Sequence, residues 1–364
     1  MVLPIDAVDY EKRVAAATEP LDAFANQLIG ELDVETGGFG WWAGYSDWKT
    51  LTLVSDYLIQ LTYGVSDSLL SASFSAKTHK EMVTAEEFAH KQAWKQGQLF
   101  TPNGAADRRR SLVITQSAES CFFHLGQALD RLAVAIIIVG GWHLNDAIKL
   151  DWGSLEKIAA DYAKGTVPAA PSLVEKYEAV GSPARIAQET LLTAVLDWTP
   201  YGPLEWYPWM RDARNGMTHR AGAKRMIVLT KDKGLSRVFY RQPRWSELQS
   251  IIFGGRPPRS PFWDAFIVSS TEQVLEGLCE SVSAMIAAAV SAMTTCWEAR
   301  KADPAMIVQH GKQWRLVDPS DDISEFPGYG TITPDSTEIR LNTMDARRWE
   351  AARVMDDRRS AWYA

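Results

Sequence analysis

The chain has 364 residues, 46% of them hydrophobic and 23% charged, with a formal net charge of -7, and these values are typical of a soluble globular protein that buries a substantial core. Its three cysteines form no Cys-x-x-Cys or Cys/His cluster, which argues against a disulfide framework or a zinc site and fits a reducing cytoplasm. The first residues lack a basic start followed by an apolar run, so no secretory leader is expected. The longest apolar stretch, residues 132–142, is too short to cross a bilayer, and we expect a cytoplasmic protein without membrane contact.

The first half of the chain predicts four helices, separated by breaks that contain glycine or proline. The helices are expected at residues 10–32, 48–77, 84–97 and 107–139, and the breaks at residues 37–42 and 101–104. His79 and His90 lie among lysine and glutamate neighbours, without a partner at metal-binding spacing. We therefore interpret both histidines as surface residues.

The fourth predicted helix carries five polar residues at spacings of three and four, so that all of them share one face. They are Ser117, Ser120, His124, Gln127 and Arg131. An amphipathic helix always has a solvated face, but such a row also forms the polar wall of a cleft in some proteins. Both interpretations are consistent with the sequence.

The second half of the chain predicts further helices, a β-hairpin and a mixed C-terminal region. A surface connection rich in proline and alanine is expected at residues 165–183. Helices are expected at residues 183–198, 204–220, 262–300 and 344–359. Strands are expected at residues 226–229 and 236–240, which form the hairpin, and at 314–317, 330–332 and 338–341.

These elements predict a mostly α protein, a helical bundle with an inserted β-hairpin and a small mixed C-terminal appendage. Three consecutive parts are expected along the chain. They are an N-terminal helical extension (1–48), the bundle (49–302) with the hairpin insert at about 224–259, and the appendage (303–364).

The stretch Arg-Asp-Ala-Arg-Asn-Gly-Met-Thr-His-Arg, residues 211–220, places three arginines and one of the six histidines on one predicted helix. At about 100° per residue, an apolar stripe faces the core and consists of Trp206, Met210, Ala213 and Met217. The opposite, polar side consists of Arg211, Asn215 and Thr218, flanked by Arg214 and His219. Asn215 and His219 are one turn apart and can touch.

This set of side chains is suited to phosphodiester chemistry without a metal. A histidine near its ordinary pKa can take the proton of a ribose 2′-hydroxyl or supply one to the leaving oxygen. A guanidinium is always charged and can hold the phosphate, and an amide can orient either group. We therefore predict that Arg214, Asn215 and His219 are catalytic, in a groove that two copies of the helix form across a twofold axis.

The motif opens a basic segment, residues 211–259, with twelve Lys/Arg against three acidic residues, a net charge of +9, so that the rest of the chain carries -16. Aromatic residues are interleaved with these basic residues, as on surfaces that stack unpaired nucleotides. The predicted substrate-binding residues are Arg211, Thr218, Arg220, Arg237, Tyr240, Arg241, Arg244 and Trp245. In the alternative interpretation, the arginines pair with the acidic remainder of the chain.

The stretch Arg214-Asn215-Gly216-Met217-Thr218-His219 resembles the Arg-x4-6-His signature of the HEPN superfamily, in which a polar residue commonly follows the arginine. The earlier stretch CFFHLGQALDRLA, residues 121–133, resembles the helix that packs beside the motif helix in these bundles. HEPN proteins commonly dimerise, and many are metal-independent endoribonucleases of toxin–antitoxin, antiphage and RNA-processing systems.

The resemblance implies a HEPN-like helical bundle that cleaves RNA without metal or cofactor, as a homodimer through the motif helix or beside an inhibitory protein partner. It also allows a non-catalytic HEPN-like module that binds RNA or protein. The chain departs from one HEPN subgroup, because Arg220-Ala221-Gly222 follow His219 and no tyrosine stands two residues after it. Regulation by nucleotidylation of a motif tyrosine is therefore not expected.

Overall fold

The protein is mostly α-helical, as predicted from the sequence. The computed structural model describes residues 7–35, 37–42, 48–97, 104–142, 150–165, 181, 183–219, 225–229, 234–241, 252, 265–302, 326–330 and 343–352. These residues form eight α-helices: α1 (Ala7–Gly30), α2 (Trp48–Lys95), α3 (Ala105–Gly140), α4 (Trp152–Ala163), α5 (Pro183–Leu196), α6 (Trp206–His219), α7 (Thr271–Ala302) and α8 (Thr343–Ala351). They also form two antiparallel two-stranded sheets, β1 (Leu32–Asp33) with β2 (Gly38–Phe39) and β3 (Arg225–Leu229) with β4 (Leu235–Phe239).

Helix α2 is continuous over 48 residues, although the sequence predicts two helices with an interruption at residues 78–83. Polar and charged residues in this stretch interrupt the apolar pattern of the sequence. In the structure, His79 and Val83 are both buried one turn apart, so the buried face of the helix continues through the stretch. The buried polar side chain of His79 therefore explains why the sequence predicts two helices where the structure has one.

Helix α4 is an element that the sequence analysis does not predict. Asp151 caps its start, because the carboxylate accepts a hydrogen bond from the backbone N–H of Ser154 at 2.8 Å. Buried residues at helical spacing follow, namely Trp152, Leu155, Ile158 and Ala159. A capping aspartate before such a row is the signal that identifies this helix.

The predicted hairpin is present, and its register places Ile227 opposite Arg237. The last predicted helix is described from Thr343 to Ala351. Apart from Gly330, the predicted C-terminal strand segments lie outside the described residues: 314–317, 330–332 and 338–341.

The chain divides into two compact units, and three separate segments form each of them. Unit 1 comprises Met1–Leu21, Gly64–Leu132 and Ala194–Ser291, and unit 2 comprises Asp22–Tyr63, Ala133–Thr193 and Ala292–Ala364. The three consecutive parts predicted from the sequence stay a prediction. Five helices contribute residues to both units, namely α1, α2, α3, α5 and α7.

In unit 1, the first turns of α1 pack against α7. Ser283 Oγ donates to the carbonyl oxygen of Val14 at 2.9 Å, and the Val14 side chain is fully buried. Arg13 Nη2 forms an ion pair with Glu276 Oε1 at 2.6 Å. Both partners lie on α7, so these contacts attach α1 to that helix.

Unit 2 has an aromatic core around Trp297 of α7, whose side chain is fully buried. Its indole Nε1 donates to Glu31 Oε2 at 3.0 Å. Ring centroids lie 4.8–6.1 Å from that of Trp297 for Phe24, Phe39, Trp41 and Trp42. Such edge and tilted contacts between large rings stabilise a core beyond the area they bury.

Among the described residues, α3 and α7 are long and apolar enough to cross a membrane by length and composition. Of the most apolar window of each helix, 72% and 56% are buried inside the protein. Core helices of soluble proteins pass the same test, so these two helices are weak evidence for membrane spans.

Candidate functional site

The predicted motif lies on α6 in unit 1, with its apolar stripe largely in the core. Trp206, Met210 and Ala213 are buried, whereas Met217 is half-buried. A Cβ at Gly202 would lie 2.7 Å from the indole of Trp206, so the turn before the helix requires glycine for its close approach. The stripe and this turn fix the orientation of α6.

Arg214 lies across α3 in the structure. Its Nη2 is 2.6 Å from Asp130 Oδ2, and its Nη1 donates to Asn215 Oδ1 at 3.2 Å. A Cβ at Gly126 would lie 2.5 Å from Arg214 Nε, so the missing side chain at this position makes room for the arginine. The side chain of Arg214 is 25% exposed. The guanidinium is therefore held in a defined position at the surface of unit 1.

Asp130 is the residue of this site that the sequence analysis does not identify. It is 84 positions before Arg214, and local periodicity carries no information on such a pairing. One signal is present in the sequence, because Gly126 and Asp130 are one turn apart in the stretch that resembles the neighbour of the motif helix. A small residue followed by an acid at this spacing is suited to receive a long cationic side chain.

His219 is the last residue of α6, and the side chains of Thr218 and His219 lie outside the described part of the structure. Helical geometry puts Asn215 and His219 one turn apart on the same face. The helix thus carries the three predicted catalytic residues, with the position of the Arg214 and Asn215 side chains defined.

The polar row on α3 packs partly against α2. Arg131 Nη1 donates to the carbonyl oxygen of Gly64 at 2.6 Å and to Ser68 Oγ at 2.7 Å. Gln127 Oε1 accepts from Ser68 Oγ at 3.4 Å and lies 3.4 Å from His124 Nδ1. These contacts connect two helices, so at Gln127 and Arg131 the row is neither simply solvated nor the wall of an open cleft.

The contacts of Arg237 do not fit the substrate-binding role predicted for it. It is buried, and its Nε and Nη2 each donate to a carboxylate oxygen of Glu86 at 2.7 Å. A bidentate pair with a buried carboxylate occupies the face of the guanidinium that would bind phosphate. For Arg237, the structure favours the alternative in which basic residues pair with the acidic remainder of the chain.

Two other predicted substrate-binding residues, Arg211 and Arg241, are exposed. Arg241 Nη2 donates to the carbonyl oxygen of Phe266 at 3.3 Å. Tyr240 is half-buried, and its ring lies 4.7 Å from that of Phe266, so it stacks within the protein. Outside the described residues lie Arg220, Arg244 and Trp245.

The interpretation of His79 and His90 as surface residues is wrong, because both are buried. His79 Nδ1 lies 2.9 Å from the carbonyl oxygen of Ile114, and Nε2 lies 2.8 Å from Thr271 Oγ1. Since a carbonyl oxygen can only accept, Nδ1 carries the proton of the neutral ring. His79 therefore connects three helices as an uncharged side chain.

We predict that the protein loses stability as the pH falls from 6.5 to 4. Burial lowers the pKa of His79 to about 4, and the charges of Arg225 and Arg237 act in the same direction. Between these values the unfolded chain binds a proton that the folded protein excludes, so the free energy of unfolding decreases as the pH is lowered. The shift corresponds to about 3 kcal/mol, and the loss is complete below the folded pKa.

Urea unfolding of the protein and of His79→Gln, at several pH values across this window, measures the effect. The substitution removes one titrating group and leaves the carboxylates unchanged, so the variant is expected to lose less stability on acidification. Parallel pH profiles for the two proteins would contradict the prediction.

The cysteines of unit 1 are reduced and buried. Cys121 and Cys279 Sγ atoms lie 3.7 Å apart. The hydrogen bond with Cys279, together with burial, raises the pKa of the Cys121 thiol. The Cys121 thiol is therefore protonated at neutral pH, and both cysteines pack as small core residues.

In the part of the chain that the structure describes, no group of three or more His, Cys, Asp or Glu side chains is arranged to hold a metal ion. The chain matches no protein-family model, no curated protein and no solved structure. A functional interpretation therefore rests on the sequence motif and on the geometry of α6 and α3.

Proposed function

We propose that the protein is a metal-independent endoribonuclease of HEPN type, in which Arg214, Asn215 and His219 act on a phosphodiester bond. The observation that carries the proposal is the defined position of Arg214. Its guanidinium is held by Asp130 and the Asn215 side chain at 2.6 and 3.2 Å, with 25% of the side chain exposed. An arginine held in this way, on the same helix as a histidine, is preorganised for a phosphate.

In the proposed reaction, the ribose 2′-oxygen forms a bond to phosphorus, and the bond from phosphorus to the 5′-oxygen breaks. His219 accepts the proton of the 2′-hydroxyl, and the imidazolium so formed returns a proton to the leaving 5′-oxygen. Arg214 binds the non-bridging oxygens and stabilises their growing charge, and Asn215 orients the imidazole or the phosphate. The products are a 2′,3′-cyclic phosphate and a 5′-hydroxyl.

The proposed RNA-binding surface includes the exposed Arg211 and Arg241. Thr218, Arg220, Arg244 and Trp245 keep their predicted role in binding RNA. We further propose that two copies associate through α6, so that both sets of motif residues face one groove, or that an inhibitory protein covers the helix. Such an enzyme would act in the cytoplasm as a toxin or an antiphage effector.

A non-catalytic module that binds RNA or protein is the second candidate, and the Arg214–Asp130 ion pair favours it. A carboxylate 2.6 Å from the guanidinium offsets part of its positive charge and competes with a phosphate. In such a module, Arg214 would attach α6 to α3 and take part in no reaction.

The protein is expected to cleave single-stranded RNA in excess EDTA, and His219→Ala is expected to slow cleavage by at least about 100-fold. Its affinity for RNA should change little, because most affinity for RNA comes from contacts between cationic side chains and phosphates. Cleavage is followed on labelled RNA with detection of 2′,3′-cyclic phosphate ends, and binding by fluorescence anisotropy.

His124→Ala is the matched control, because this half-buried imidazole lies on α3 outside the motif. It should cleave at the rate of the unsubstituted protein. RNA binding without cleavage in EDTA would support the binding module, and unchanged cleavage by His219→Ala would remove the proposed role of the motif.

A further inference from the structure

We infer that Asp130 is a positioning residue of the proposed nuclease site, which holds the Arg214 guanidinium in the orientation that binds the scissile phosphate. This inference rests on the proposed function. The site then includes a carboxylate on α3 in addition to the motif on α6. Gly126, one turn before Asp130, provides the space for the Arg214 side chain.

The geometry at α3 defines the position of Arg214 from two sides. Gly126 lies beneath the side chain, and a Cβ there would be 2.5 Å from Nε and 3.2 Å from Cδ. Asp130 holds the far end, with Oδ2 at 2.6 Å from Nη2. The contact has the short length of a charge-assisted hydrogen bond. One face of α3 therefore contacts the aliphatic part of the Arg214 side chain and orients its guanidinium.

This arrangement matters for the reaction because a free arginine has many rotamers. Fixing it on a phosphate during catalysis would cost conformational entropy at each turnover. In the structure, this conformational entropy is lost on folding, because Asn215 and Asp130 already bind the Nη1 and Nη2 atoms of Arg214. A displacement of about 1 Å in a catalytic group can slow a reaction about 100-fold. Asp130 is therefore expected to act on the rate more than on affinity.

Asp130→Asn tests the charge of the contact. The amide keeps the size of the carboxylate and one acceptor oxygen but loses the charge. We expect kcat to fall by about 10- to 100-fold while KM changes by less than about threefold. In an Arg214→Ala background, the same substitution should have no further effect on kcat, because Asp130 acts through this arginine.

Gly126→Ala tests position without changing any charge. The added methyl group requires Arg214 to move, whereas alanine favours the helix more than glycine does. We expect a fall in kcat similar to that of Asp130→Asn, in a protein that remains folded by circular dichroism. This variant separates a misplaced guanidinium from a general loss of stability.

Glu276→Gln is the matched control, because it neutralises the carboxylate of another 2.6 Å ion pair of unit 1, which Glu276 forms with Arg13. It should leave kcat and KM unchanged. If Asp130→Asn behaves like this control, or increases kcat or the affinity for RNA, Asp130 does not position Arg214 and the inference is overturned.

The two hypotheses fail in different ways. If the unsubstituted protein does not cleave RNA in EDTA, or if His219→Ala cleaves normally, the proposed function is wrong and the inference is overturned with it. If His219→Ala is inactive and both Asp130→Asn and Gly126→Ala keep the full rate, only the inference is overturned.

Discussion

Glu86→Gln is expected to lower the free energy of unfolding by about 3–5 kcal/mol. The side chains of Glu86 and Arg237 are buried and are joined by two contacts of 2.7 Å. The substitution removes the negative charge and leaves the guanidinium in place, so a buried positive charge loses its partner. Urea unfolding at neutral pH, followed by circular dichroism, measures the loss.

Lys91→Ala provides the comparison on the same helix. Lys91 pairs with Glu87 at 2.7 Å, but the two side chains are 48% and 33% exposed. An exposed pair one turn apart contributes at most about 0.5 kcal/mol. Replacing Glu86 and Arg237 together by Leu and Met should cost less than Glu86→Gln, because no charge is left buried. Equal losses for Glu86→Gln and Lys91→Ala would contradict the role of the buried pair.

The buried pair also changes the electrostatic interpretation of the basic segment. Five basic residues of segment 211–259 are described, and each of them contacts a group within the protein. Arg214 pairs with Asp130, Arg237 pairs with Glu86, and Arg225 donates to the carbonyl oxygen of Ile114 at 2.8 Å. Arg211 and Arg241 are exposed, but the Arg211 guanidinium lies 5.8 Å from the centre of the Tyr207 ring and Arg241 donates to the carbonyl oxygen of Phe266. The formal charge of +9 therefore overstates the positive charge that this part of the surface offers to RNA.

The sequence predicts those parts of the fold that depend on local periodicity. The apolar pattern predicts the motif helix at residues 204–220, and the structure has it at Trp206–His219. The hairpin after it pairs as predicted. The predicted interruption of α2 is absent, because a polar residue such as His79 can occupy a buried row when other helices supply its hydrogen bonds. Periodicity treats every polar residue as solvated, and that assumption fails here.

The candidate site depends on contacts that are distant in sequence. The motif itself is local and is visible on one helix, whereas its proposed support by Asp130 comes from a helix 84 residues earlier. Arg237 and Glu86 are 151 residues apart, and each appears in the sequence as an ordinary charged residue. Whether a charge faces solvent or a partner is decided by packing between elements. The local charge and the position of the segment after the motif therefore predict Arg237 on the RNA-binding surface, whereas packing pairs it with Glu86.

Trp297→Ala is expected to lower the free energy of unfolding by about 3–5 kcal/mol. The side chain is fully buried in unit 2, and its removal leaves a cavity surrounded by rings that cannot fill it. The substitution also removes the donor of the 3.0 Å hydrogen bond to Glu31. Trp41 Nε1 at 3.1 Å and Lys301 Nζ at 2.7 Å remain as partners of that carboxylate.

Two further variants separate packing from hydrogen bonding. Trp297→Phe keeps much of the ring volume but removes the donor to Glu31, and a hydrogen bond to a charged group contributes about 1.5–3 kcal/mol. Its expected loss is therefore smaller than that of the alanine variant. Trp94→Ala is the control, because this ring is 48% exposed and its removal should cost less than about 1 kcal/mol. If Trp297→Ala were no more destabilising than Trp94→Ala in urea unfolding, the aromatic cluster would not be the core of unit 2.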